Sequence, residues 1–78
     1  MPAAFARPVL TAEGHLLEIF SSKAACSGGV IRRKARDIDR FIGREAFLNE
    51  VHRRGFRAVE NAGQIIVFCN SEPVRRLV

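Results

Sequence analysis

The side chains of this sequence best suited to chemistry are its arginines. Between Ile31 and Arg57 stand nine basic residues: Arg32, Arg33, Lys34, Arg36, Arg40, Arg44, Arg53, Arg54 and Arg57. The same stretch holds four acids, Asp37, Asp39, Glu45 and Glu50. Elsewhere Arg7, Lys23, Arg75 and Arg76 balance Glu13, Glu18, Glu60 and Glu72, so the whole net charge of +5 lies in one segment. A localised field of one sign attracts an anionic partner. The planar guanidinium fork grips phosphate or carboxylate through two parallel hydrogen bonds. The chemistry on offer is recognition rather than bond-making.

Other candidates are thinner. Cys26 sits just before an expected helix start, where the dipole lowers a thiol's pKa, and Lys23 is near in sequence. A nucleophile there needs a base, which only His15 or His52 could supply. The plainer reading is a loop cysteine. Cys69 lies in an apolar run and reads as core packing. Ser27-Gly28-Gly29 before a helix can offer backbone N–H groups to an anion, but it lacks the P-loop spacing. Two His and two Cys show no metal-ligand spacing. The acids lie mostly beside arginines, which keeps them ionised rather than poised for proton transfer. The sequence therefore predicts no enzyme activity, no metal and no cofactor. A chain of 78 residues also has little room for a ligand pocket of several hundred Å³.

Hydrophobic period assigns the elements that must position these groups. Pro2 and Pro8 in an aperiodic stretch suggest a flexible arm over 1–13, ahead of one domain over 14–78. His15 to Phe20 is a short apolar run after Gly14 and reads as a strand. Ile31, Ala35, Ile38 and Ile42 recur at helical steps, predicting a helix from about Val30 to Phe41. Gly43 breaks the pattern, and Phe47, Leu48 and Val51 predict a second helix from Arg44 to Arg54. Within it Glu50 and Arg54 form an i,i+4 pair, and Gly55 is placed as its C-terminal cap. Arg57 to Glu60 and Gln64 to Cys69 read as strands joined by a turn at Asn61-Ala62-Gly63. The second run is apolar on both faces and is expected to be central. Val74 to Val78 could add an edge strand.

The expected fold class is α+β: a small single domain of order β-α-α-β-β(-β). A mainly antiparallel sheet of three to four strands is covered on one face by two helices. The expected core holds Leu17, Ile19, Ile31, Ile38, Phe41, Phe47, Leu48, Val51, Phe56, Val59, Ile66 and Phe68.

On a helical wheel of Val30–Phe41, Arg32, Arg33, Arg36 and Arg40 fill an arc of roughly 100° opposite the apolar side. Lys34 falls inside the apolar arc. Four arginines on four phosphates predict a log–log salt slope of about −3.6 on duplex DNA. These four, with Arg44 and Arg53 secondary, are the candidate nucleic-acid contacts. The alternative is a solvated face laced by Arg33–Asp37 and Arg36–Asp39 pairs.

Three resemblances bear on this. Two helices across a Gly turn followed by a hairpin resemble a winged helix-turn-helix. That would put the exposed Glu45, Asn49, His52 and Arg53 toward a groove, with the 61–63 turn as the wing. Phe41-Ile42-Gly43-Arg44-Glu45-Ala46-Phe47 resembles the Ile-Gly-x-x-Gly turn of KH RNA-binding domains within a β-α-α-β core, with Ala46 in place of the second glycine. Residues 46–78 resemble HicA-type RNA-cleaving toxins, with their double-stranded-RNA-binding-like fold. That family depends on a histidine just after the turn glycine; here Gln64 follows Gly63.

With 47% hydrophobic and 27% charged residues the composition is globular, and six Phe with no Trp or Tyr suggest a phenylalanine-filled core. No apolar run reaches the roughly 20 residues of a membrane span. Arg7, Glu13 and His15 interrupt any signal-like stretch, so the cytoplasm, and with it free thiols, is the expected setting. The leading functional expectation is a small nucleic-acid-binding protein. The alternative is a protein-interaction or structural module, such as a homodimer or a binder of an acidic protein.

Overall fold

The computed structural model describes residues 11–78. Four helices and three strands follow in order: α1 (Ala12–Phe20), α2 (Lys23–Cys26), β1 (Val30–Lys34), α3 (Ala35–Phe41), α4 (Arg44–Arg53), β2 (Arg57–Asn61) and β3 (Gln64–Phe68). The strands form one antiparallel sheet of order β1-β3-β2. The α+β class, the antiparallel sheet and the central place of the apolar strand agree with expectation. No strand forms over residues 74–78. The expected arm divides: residues 1–10 lie outside the described residues, while Ala12 and Glu13 are helical.

Four helices rather than the expected two cover the sheet, because α2 forms where Cys26 reads as a loop residue and two further elements change type. Residues 15–20 are helix, not strand. Thr11 caps α1 by accepting a hydrogen bond from the Gly14 amide at 3.1 Å. Leu16, Ile19 and Phe20 then share the inward face at helical spacing. The second departure splits the expected Val30–Phe41 helix. Its first five residues are β1, paired Ile31↔Val67 and Arg33↔Ile65, and helix begins only at Ala35. Lys34 was the discordant residue on the wheel, and it is in fact the last residue of an extended strand.

The remaining local signals hold. Gly55 (φ +75°) closes α4, its amide donating to the His52 carbonyl at 2.9 Å while Phe56 N–H reaches the Val51 carbonyl at 3.0 Å. That pair of hydrogen bonds is the Schellman closure. The hairpin turn is two residues long, with Ala62 and Gly63 both at positive φ (+51° and +75°). This is the type I′ geometry that matches strand twist.

All four helices contribute to one side of the sheet. Ile19, Phe20, Ala25, Ala35, Ile38, Phe47 and Val51 pack with Ile31, Ile65, Val67 and Cys69. Phe20 stands 5.7 Å from Phe47 and 6.1 Å from Phe56, with the Arg54 guanidinium 4.7 Å above its ring. Five expected core residues (Ile19, Ile31, Ile38, Phe47 and Val51) are buried, and Phe56 packs against them. Leu17, Phe41, Leu48 and Val59 are exposed instead. Along β3 the expected face is inverted: Ile65, Val67 and Cys69 point inward, leaving Ile66 and Phe68 on the other side.

Candidate functional site

Because strand residues alternate, each face of the sheet follows from register. The covered face carries Ile31, Val67 and Ala58 in one row and Arg33, Ile65 and Glu60 in the next. The opposite face carries three rows: Val30–Phe68–Arg57, Arg32–Ile66–Val59 and Lys34–Gln64–Asn61. None of these nine residues belongs to the core cluster or to the residues packed against it. Val30 is 51% exposed and Val59 42%, while Ile66 and Phe68 are half-buried. The result is an apolar centre bordered by three cations. All eight acids of the chain lie among the described residues, and none occupies these nine positions.

The sequence-predicted site residues do not form one stripe. Arg32 and Arg33 are neighbours on a strand and lie on opposite faces of the sheet. Arg36 and Arg40 lie on α3. Arg33 turns toward the helices, lining a small cleft of about 140 Å³ with His15, Glu18, Asp37 and Phe41. It donates to its neighbour's carbonyl, at 2.8 Å from Arg32 O. Arg40 lies 5.3 Å from the Phe41 ring, a cation–π contact. The four-arginine helix face is thus dissolved by the strand that replaces its first half.

Two further candidates are engaged by acids. Arg44 donates to both carboxylate oxygens of Asp39 (2.9 and 3.1 Å) and to Glu60 at 3.1 Å, tying α3, α4 and β2 together. These hydrogen bonds hold the Asp39 carboxyl below, and the Arg44 guanidinium above, their ordinary values. Arg53 binds both oxygens of Glu50 (2.9 and 2.6 Å), and Arg54 joins at 2.5 Å. Arg53 first, and then Arg54, pulls Glu50 down to about 2 against the cost of desolvating the carboxylate. The expected Glu50–Arg54 pair is present. In place of the expected Arg33–Asp37 and Arg36–Asp39 pairs, Arg36 stands 3.8 Å from Asp37 and Asp39 is taken by Arg44.

The cations of the open face contrast with these. Arg32 and Lys34 make no side-chain hydrogen bond or ion pair among the described residues, and Arg57 reaches only the carbonyls of Gly55 and Phe56 at 3.3 and 3.5 Å. Beyond Lys34 the face continues into a shallow hollow of about 490 Å³ lined by Lys34, Ala35, Arg36, Asp39, Ala62, Gly63 and Gln64. Its Asp39 is the carboxylate already claimed by Arg44. Lys34 and Arg57 are not among the sequence-predicted contacts, and Phe68 is expected in the core rather than on this face. The available signal was alternation: Arg32/Lys34, Arg57/Val59 and Ile66/Phe68 are each i,i+2 pairs.

The remaining chemistry candidates disperse. Cys26 is exposed at the C-terminal end of α2 rather than ahead of a helix, and its thiol faces the Ser21 carbonyl at 3.7 Å. Ser27-Gly28-Gly29 leads into a strand, so it has no helix N-terminus to offer. Cys69 is buried, and burial pushes its thiol up. Among the described residues no three His, Cys, Asp or Glu side chains are grouped to hold a metal, and no helix is long and apolar enough to cross a membrane.

The Gly43 junction lies within the β1-α3-α4-β2 order that the KH resemblance implies. Gly43 takes φ +100°, and Arg44, Glu45 and Ala46 already form the first turn of α4. The hairpin expected as a wing is held down, since Ala35 N–H donates to the Gly63 carbonyl at 2.8 Å. Gln64 sits in the sheet opposite Lys34 and Asn61, where the toxin resemblance calls for histidine. Compared with known proteins, the chain matches no family model, no curated protein and no solved structure.

Proposed function

We propose that this protein binds nucleic acid through the open face of its sheet, without a catalytic step. The observation that supports this reading is the distribution of charge over that face. Arg32, Lys34 and Arg57 stand on it with no acid among its nine register positions, while Arg44, Arg53 and Arg54 face carboxylates on the helical side. Cations without internal partners keep their field for a phosphate backbone, and releasing its counterions drives association. The binding residues are therefore Arg32, Lys34 and Arg57, with Arg36 at the margin of the adjoining hollow.

The test is a titration of labelled oligonucleotides at several salt concentrations. Wild type is expected to bind at about 50 mM salt, with an affinity that falls steeply as salt rises. Changing Arg32, Lys34 and Arg57 together to Gln should remove most of the binding. Arg53→Gln, which deletes an acid-paired cation, should change it little. Absence of wild-type binding, or indifference to the triple change, would overturn the proposal.

A further inference from the structure

Resting on that reading, we infer that the nucleic acid is single-stranded, with an unpaired base stacked on Phe68 and phosphates held by Arg32, Lys34 and Arg57. The cations border an apolar centre rather than forming a continuous basic surface. Phe68 lies on the central strand between Val30 and Arg57, and Ile66 lies between Arg32 and Val59. A duplex presents phosphates outward and hides the flat faces of its bases, so its backbone would desolvate against Val30, Val59, Ile66 and Phe68. A single strand offers both surfaces at once, with base faces for the apolar centre and phosphates for the rim. Phe68 also stands apart from the Phe20–Phe47–Phe56 cluster, which leaves its ring outside the core. Beyond it the face runs into an open hollow of about 380 Å³ lined by Phe68, Asn70, Glu72, Pro73, Val74 and Arg75. Glu72 is the acid there, its amide held by Asn70 Oδ1 at 3.0 Å. A second copy of this chain is a poor occupant, because it would bring three more cations against these three with no acid between them.

The experiment compares a labelled 12-nucleotide oligouridine with an RNA duplex of the same length, using the full chain. The single strand should bind at least tenfold tighter at equal salt. Three phosphate contacts give a log–log salt slope of about −2 on a single strand. Phe68→Leu keeps apolar bulk but loses the π-face, and should weaken binding by about 5- to 100-fold. The chain contains no Tyr or Trp, so Phe68→Tyr places a lone fluorophore on the face. Its emission should be quenched as oligouridine binds, a readout that also guards against a misfolded Leu variant. Equal affinity for duplex, with Phe68→Leu silent and the triple charge change still abolishing binding, sinks the single-strand inference and leaves nucleic-acid binding standing. Failure to bind any oligonucleotide removes both, as does capture by phosphatidylglycerol vesicles alone.

Discussion

The two faces of the sheet come from the same three strands and differ in almost everything that matters for function. On the covered face Ile31, Ile65 and Val67 are almost fully buried beneath the helices, and the charges at its margin, Arg33 and Glu60, sit beside the helical layer. Glu60 is held there by Arg44. On the open face Val30, Val59, Ile66 and Phe68 keep contact with solvent, and the bordering charges are all positive. The lesson concerns where the acids go. Asp39 and Glu60 are consumed by Arg44 in bridges that knit α3, α4 and β2, and Glu50 is consumed by Arg53 and Arg54 at the end of α4, so the chain's net +5 reaches the outside unevenly.

The largest effect that can break this comparison comes from adjacent residues of β3. Ile65 is 3% exposed and faces the helices, whereas Ile66 is half-buried on the open side. Ile65→Ala should cost about 2–5 kcal/mol, because the helical layer cannot collapse fully into the space left. Ile66→Ala should cost less, about 1–2 kcal/mol, since its surroundings already admit water. Urea unfolding of the two variants measures both. Equal losses would mean that the open face is covered in solution, and would count against its being a free binding surface.

A smaller effect concerns the acids of the helical side. Glu50 is held near 2, below its ordinary 4.5, by Arg53 and Arg54. A carboxyl depressed in the folded state stabilises the fold above its unfolded pKa, and that contribution fades as pH falls from about 4.5 toward 2. Because Arg53 is largely exposed, solvent screening limits the effect to about 1 kcal/mol. Glu50→Gln should flatten the stability profile between those pH values in thermal melts. It should leave oligonucleotide affinity nearly unchanged at moderate salt, because the arginines it releases lie off the open face. A large gain in affinity would show that total charge matters more than its placement.

How much of this was legible in the sequence depends on whether the signal was local. The α4 helix, its Gly55 closure and the 62–63 turn were readable because cap, period and turn lie within a few residues of one another. The 30–41 segment misled because Ile31 on a strand and Ala35, Ile38 and Ile42 on or next to a helix reach the same core, imitating one helical period. Only Lys34 disagreed. Gly14 hid α1, whose real start signal was Thr11. Along β3 an apolar run carries no alternation, so its inward face is decided by pairing with Ile31 and Ala58 rather than by its own residues. The open face was legible only strand by strand, through alternations such as Arg32/Lys34 and Arg57/Val59, and not across the sheet. Its row Val30–Phe68–Arg57 joins residues far apart in sequence, and no local pattern announces that Arg57 and Phe68 are neighbours.

The smallest effect serves as the control for the comparison, because it acts on both faces equally. Ala62 holds φ +51° in the turn that joins β2 to β3, a left-handed conformation that its Cβ disfavours. Asn tolerates this region and, followed by Gly63, completes the Asn-Gly pair that two-residue type I′ turns prefer. Ala62→Asn should therefore raise stability by about 0.5–1 kcal/mol, read as a higher urea midpoint at unchanged slope. The turn holds both faces in register but lies beyond the stacking centre at Phe68. Oligonucleotide affinity should accordingly stay within about twofold of wild type. A stabilised variant with lost affinity would place the 62–63 turn itself in the binding surface, and would shift the interface from the centre of the sheet to the hollow beside Lys34 and Arg36.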